Sequence, residues 1–88
     1  MTELGVQVEA VLRATQDALR ASAIETVART PEEVTVLLRA GEDVVAYETI
    51  CSNLYEDDIA APSASLLQLR EAAQRAGADV KWIQLLLD

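Results

Sequence analysis

The amino-acid sequence predicts an all-α protein, a small bundle of four to five short helices. Apolar residues recur at helical spacing along most of the chain, and no stretch alternates between apolar and polar residues as a half-buried strand does. Helix-starting and helix-stopping residues interrupt this pattern at short intervals. The 88 residues, 51% of them hydrophobic, suit a single domain over residues 1–88 with an aliphatic core.

The first predicted helix runs from about Thr2 to Leu19, with Thr2 as its N-cap. Its apolar side chains repeat every three or four residues and therefore share one face. Ser22, followed three residues later by Glu25, matches a capping box. This pattern either starts a short second helix or extends the first one with a kink.

Two further helices are predicted in the middle of the chain. Thr30 is the predicted N-cap of one of them, with Pro31 in its first helical position and Gly41 at its end. The next covers Gly41 to Ile59, and Tyr55 lies at the edge of its apolar stripe, as a rim of the core or as an anchor for a partner. The stripe consists of Val44, Tyr47, Ile50, Cys51, Leu54 and Tyr55.

The last part of the chain contains two more predicted helices. Ala60-Ala61-Pro62 separates the first of them from the preceding helix. This helix is capped by Ser63 and ended by Gly77, and a short final helix is capped by Asp79. Trp82 is expected to close the C-terminal end of the bundle, with a surface contact as the alternative.

Negative charge is concentrated around the Gly41–Ile59 helix. Residues 40–69 contain six of the 15 acids and none of the seven Lys and Arg residues. The six acids are Glu42, Asp43, Glu48, Glu56, Asp57 and Asp58. The last three lie at a helix C-terminus, where the helix dipole makes each acid unfavourable by roughly 0.3–1 kcal/mol. Such a local conflict with folding is typical of a functional site.

Several classes of function are disfavoured by the composition. The chain has no His, and its one cysteine, Cys51, lies on the apolar stripe, so general-base, thiolate and zinc chemistry lack their usual groups. The adjacent acids at residues 56–58 do not match a calcium-binding loop. We therefore expect no enzymatic activity, no metal and no cofactor. A net charge of −8 disfavours binding to nucleic acid and to anionic membranes.

The expected location is the cytoplasm. No segment reaches the ~20 apolar residues that a membrane helix needs. The first ten residues, MTELGVQVEA, lack the basic lead-in of a secretory signal. A single cysteine agrees with a reducing compartment.

One short match indicates a different class of protein. PSASLLQLREAAQRAG looks like the serine attachment segment of carrier proteins, with Ser65 as the modified residue. Carrier proteins place Asp before that serine, whereas this chain has Ala64, and only 23 residues follow Ser65. A carrier-like domain modified at Ser65 is therefore a minor alternative.

The segment GEDVVAYETICSNLYEDDI resembles the central motif of the MafI-type immunity proteins of bacterial polymorphic toxin systems. In that motif Gly-Glu opens a helix reading roughly Ala-Leu-Glu, two residues, Cys, two residues, Leu-Tyr-Glu, then an acid and Ile. The residues in register are Gly41, Glu42, Ala46, Glu48, Cys51, Leu54, Tyr55, Glu56, Asp58 and Ile59. Tyr47 replaces the usual Leu. The Ser-led helix, the Gly77–Asp79 turn and Trp82 also look similar, so the resemblance covers about Glu33 to Leu87.

The resemblance implies a small antitoxin that binds a secreted toxin domain, often a nuclease, and blocks it by stoichiometric occlusion. The concentrated acids fit a toxin with a basic surface, because opposite charges speed association. The residues expected to contact the partner are Glu42, Asp43, Glu48, Ser52, Tyr55, Glu56, Asp57 and Asp58. An acidic helical adaptor that docks to a basic host protein is the alternative function, and the sequence is also compatible with a homodimer.

Overall fold

Six helices follow one another along the chain in a computed structural model, which describes residues Met1 to Asp88. They are α1 (Glu3–Arg20), α2 (Glu25–Ala28), α3 (Thr30–Arg39), α4 (Asp43–Glu56), α5 (Ser63–Arg75) and α6 (Lys81–Leu87). No strand is present, so the all-α prediction is confirmed. The helix count is six rather than four or five, because Glu25–Ala28 forms a separate single turn.

Helices α1 and α4 form the centre of the bundle. α1 packs against α3, α4 and α5, whereas α4 packs against α1, α3 and α6. The molecule is a flattened body of 34 × 30 × 18 Å. The buried residues of α4 lie on one side of the helix, and the residues on its opposite side are exposed or partly exposed. No helix has the length and apolar character needed to cross a bilayer.

Eighteen buried apolar side chains make up one continuous core. Tyr47, Ile50, Cys51 and Leu54 are fully buried members of it, which confirms most of the stripe predicted for α4. Val44 was predicted to join them, but it is 42% exposed, although Cys51, seven residues further along the same side of the helix, is fully buried. Val44 lies in the first turn of α4. Burying each large aliphatic side chain contributes about 1.5–3 kcal/mol, so α4 is held mainly by this inner face.

The start of α1 is held by Thr2, as predicted. The Thr2 hydroxyl accepts a hydrogen bond from the Gly5 N–H at 3.1 Å and donates one to Asp43 Oδ2 at 2.5 Å. A Cβ on Gly5 would lie 2.7 Å from the same Asp43 oxygen. Glycine at this position therefore permits the close approach of α1 and the start of α4.

The capping predictions at Ser22 and Thr30 are wrong. Ile24 and Arg29 occupy the two N-cap positions, and neither helix has a side-chain cap. Thr30, the first residue of α3, is fully buried, and its hydroxyl donates to the Thr26 carbonyl of α2 and accepts from Asn53 Nδ2 of α4 at 2.8 Å. The Thr30 hydroxyl, which the local pattern assigns to capping, therefore bonds to Asn53 of another helix instead.

The predicted helix ends at Gly41 and Gly77 are confirmed. Both glycines have positive φ angles, 77° and 73°, which side chains other than glycine rarely adopt. The predicted caps of the last two helices are displaced by one residue, since Pro62 and Val80 occupy the N-cap positions instead of Ser63 and Asp79. The Asp79 carboxylate still accepts from the Lys81 N–H at 2.9 Å.

Candidate functional site

The free face of α4 carries a row of four side chains spaced three or four residues apart. This α4 outer row consists of Val45, Glu48, Ser52 and Glu56. Val45 and Glu56 are exposed, and Glu48 and Ser52 are partly exposed. Residues at this spacing lie above one another on a helix, so Glu48 and Glu56 share one surface of the protein.

The acids of residues 40–69 have no basic partners. Six ion pairs are present, all between exposed side chains. Their acidic members are Glu3, Glu9, Glu25, Glu32, Glu71 and Asp79. None of these lies in the acidic stretch, so the negative charge of α4 and its ends is uncompensated within the protein.

Of the three acids at the end of α4, Asp57 uses its side chain in folding, whereas Asp58 contributes only its backbone. Asp57 Oδ2 accepts a hydrogen bond from the Ser22 hydroxyl at 2.6 Å and so ties the end of α4 to the connection after α1. Asp58 has a φ of 50°, and the N–H of Ile59 bonds to the Leu54 carbonyl at 2.9 Å, which closes the helix end. Glu56 makes neither kind of contact.

Asp43 is predicted to contact the partner, but the structure places it in a buried position at the start of α4. Its residue surface is only 7% exposed, and one carboxylate oxygen accepts hydrogen bonds from the hydroxyl and the N–H of Thr2. The other oxygen, Oδ1, is buried without a partner. Asp43 therefore places a negative charge at the positive end of α1, where the helix dipole favours it.

A groove opens beside the acidic end of α4. This α4–α6 groove has a volume of about 400 Å³ and lies between the end of α4, residues 58–61, the start of α5, and α6. Its lining includes Leu54, Leu66 and Leu85, with Asp58 and Asp88 as its only charged side chains. Tyr55 also lines the groove and is 55% exposed, so it is a surface residue rather than part of the core.

The buried polar groups of α4 are structural. Burial raises the pKa of the Cys51 thiol to about 12, so the group is a neutral core side chain, as predicted. Burial is also the main cause of the raised pKa of Tyr47, which is about 12. The Tyr47 hydroxyl donates to the Asp79 carbonyl at 2.8 Å and accepts from the Ile83 N–H at 3.4 Å. No group of three or more His, Cys, Asp or Glu side chains is arranged to hold a metal ion.

The hydrogen bonds that join the Tyr47 hydroxyl to Asp79 and to α6 were not predicted from the sequence. A tyrosine on an apolar stripe carries a hydroxyl that needs a partner when it is buried, and this signal predicts a polar contact without identifying the partner.

Ser65 and Trp82, two other residues considered in the sequence, are partly buried. Ser65 lies in the first turn of α5, and the Lys81 ammonium lies 5.2 Å from the ring centre of Trp82.

Comparison with other proteins gives no further information, since no protein-family model, curated protein or solved structure matches this chain.

Proposed function

We propose that this protein is an immunity protein that binds a cognate bacterial toxin domain with a basic surface and neutralises it by stoichiometric occlusion. The observation that carries the proposal is the uncompensated charge on and around α4. Four exposed or partly exposed acids remain there once the structural ones are removed: Glu42, Glu48, Glu56 and Asp58.

The division of the α4 motif into an inner and an outer set supports this proposal. Ala46, Cys51 and Leu54 of the motif are buried and maintain the fold. Glu48 and Tyr55 of the same motif are turned toward solvent. A folding requirement explains the first set but leaves the second set without a role inside the chain.

The mechanism is electrostatic attraction followed by steric blockage. Uncompensated charge on a rigid helix attracts a basic partner. It raises the association rate constant above the value typical of neutral proteins, which is about 10⁵–10⁶ M⁻¹s⁻¹. A toxin that acts on phosphate-bearing substrates has a cationic groove, and a bound acidic helix excludes the substrate from it. This inhibition requires no catalytic group on the immunity protein.

A growth-rescue assay tests the function directly. Cells that express the toxin encoded beside this gene should survive when the protein is co-expressed and die when it is absent. Direct binding of the two purified proteins at a one-to-one ratio should accompany the rescue. Failure of both rescue and binding would refute the proposal, whereas binding to a basic host protein without any rescue would indicate the adaptor function.

A charge-matched pair of double variants tests the role of the α4 outer row. Glu48→Gln with Glu56→Gln removes two charges from the row, and Asp17→Asn with Glu33→Gln removes two exposed charges from other helices, so both proteins have a net charge of −6, by −8 + 2. Stopped-flow binding at low salt should be about tenfold slower for the first double variant, an effect that added salt reduces. Equal association rates for the two variants would contradict this role.

A further inference from the structure

The α4–α6 groove combines apolar walls with an acidic rim. Tyr55 of α4 and Leu85 of α6 line it and remain 55% and 41% exposed. Leu54 and Leu66 form deeper parts of its lining and are almost completely buried. Tyr55 and Leu85 thus leave two large side chains partly exposed along one groove.

The charges at the rim are all of one sign. Asp58 and Asp88 line the groove, and neither forms an ion pair with a Lys or Arg. Asp88 accepts only a hydrogen bond from Gln84 Nε2, at 3.0 Å. No basic residue contributes to the lining. The rim therefore favours an occupant that carries positive charge next to an apolar group.

We propose that the groove receives an apolar anchor side chain from a basic segment of the protein partner, in which lysine or arginine flanks the anchor. The anchor packs between Tyr55 and Leu85, and the flanking cations lie against Asp58 and Asp88. The identification of this partner as the toxin rests on the proposed function.

A second copy of this chain fits the groove less well. A two-fold interface brings the same patch of each copy together, so each acidic rim would face an acidic rim. The chain has a net charge of −8, and like charges in contact weaken an interface. Charge complementarity thus selects a basic partner over self-association.

Two leucines of α6 and α5 provide a matched pair of variants. Leu85 lines the groove and is 41% exposed, whereas Leu67 is 43% exposed and lies outside it. Leu85→Gln should weaken binding to the toxin encoded beside this gene by about tenfold or more, because it replaces an apolar wall of the groove with a polar amide against the partner's apolar anchor. Leu67→Gln should change the dissociation constant by less than about twofold. Circular dichroism checks that both variants fold.

Peptide binding tests the groove without the toxin. A lysine-rich peptide with one central Leu should shift the backbone amide signals of residues 54–66 and 85–88 in NMR spectra of the wild-type protein. The same peptide with Ser in place of Leu should leave those signals nearly unchanged. Equal shifts with both peptides, or shifts confined to other surfaces, would overturn the proposal.

The outcomes separate this inference from the proposed function. If the wild-type protein binds the toxin and the two leucine variants bind it equally well, the groove is not the anchor site, although the immunity function stands. If the toxin does not bind at all, the immunity function fails, and the peptides still decide whether the groove takes a basic segment. A dimer of the free protein that Leu85→Gln dissociates would overturn the inference in favour of a second copy.

Discussion

The hydrogen bond between Ser22 and Asp57 gives the most direct test of which acids serve folding. The Ser22 hydroxyl donates to Asp57 Oδ2 at 2.6 Å and accepts from the Ile24 N–H at 3.0 Å. It therefore joins the end of α4 to the connection that follows α1. We expect Ser22→Ala to lose both contacts, whereas Asp57→Ala loses only the first.

The magnitude follows from the charge and the burial of the two partners. A hydrogen bond to a charged group contributes about 1.5–3 kcal/mol, and the lower end applies because both residues are only partly buried. Asp57→Ala also removes an acid from a helix C-terminus, which returns about 0.3–1 kcal/mol. The loss of unfolding free energy in Asp57→Ala alone is therefore smaller than the contribution of the hydrogen bond, and a double-mutant cycle isolates that contribution. We expect a coupling free energy of about 1–1.5 kcal/mol between Ser22 and Asp57.

Urea unfolding followed by circular dichroism measures this cycle. In a domain of this size about 1 kcal/mol corresponds to a change of roughly 4–8 °C in melting temperature, so thermal unfolding gives a second reading. Ser22→Ala combined with Glu56→Ala is the control, because Glu56 is adjacent to Asp57 but has no bond to Ser22. Its effects should add within about 0.5 kcal/mol. A Ser22–Asp57 coupling no larger than this control would refute the structural role of Asp57.

Three further predictions concern stability. Gly5→Ala should destabilise the protein by about 1–3 kcal/mol in urea unfolding, since the new Cβ would displace the Asp43 carboxylate from Thr2; an unchanged midpoint would show that no close approach is needed there. Tyr47→Phe should cost about 1 kcal/mol and leave α6 less protected in hydrogen exchange, because the hydroxyl no longer bonds its first turn; equal protection would contradict this. Burial raises the pKa of Cys51 from 9.0 and of Tyr47 from 10.0, each to about 12. The unfolded chain loses these protons first, so the stability that these two groups contribute is complete below about pH 9 and is lost as the pH rises toward 12, and Cys51→Ala should reduce that loss in urea unfolding.

The sequence predicts the elements of this fold better than their contacts. Gly41 and Gly77 end helices because backbone conformation is a local property that glycine signals by itself. The hydroxyls of Ser22 and Thr30 also carry a local signal, but each is used by a residue far away in the chain, Asp57 or Asn53. Such partners are brought together only by packing, so a reading of local patterns assigns these hydroxyls to the wrong task.

The candidate site shows the same limit. Helical spacing predicts correctly that Glu48 and Glu56 point away from the core, since the direction of a side chain follows from its position on the helix. The burial of Asp43 depends on the approach of α1, which spacing along α4 does not report. The α4–α6 groove was not predicted, because its walls come from three consecutive helices whose placement against one another is decided by packing.

The acids at the end of α4 illustrate how folding and binding share one segment. An acid at a helix C-terminus is locally unfavourable, but Asp57 recovers that cost through Ser22, and Asp58 adopts a left-handed conformation that Asp tolerates better than most residues. The Ser22–Asp57 hydrogen bond and the left-handed conformation of Asp58 fix the path of the chain into residues 58–61, which form one side of the groove. The Asp58 side chain remains exposed at the rim, and Glu56 remains free on the α4 outer row. Folding therefore uses part of this charge to hold the remainder in place. Loss of Asp57 should reduce stability, whereas loss of Glu56 should slow association and raise stability by about 0.3–1 kcal/mol, because it removes an acid from a helix C-terminus.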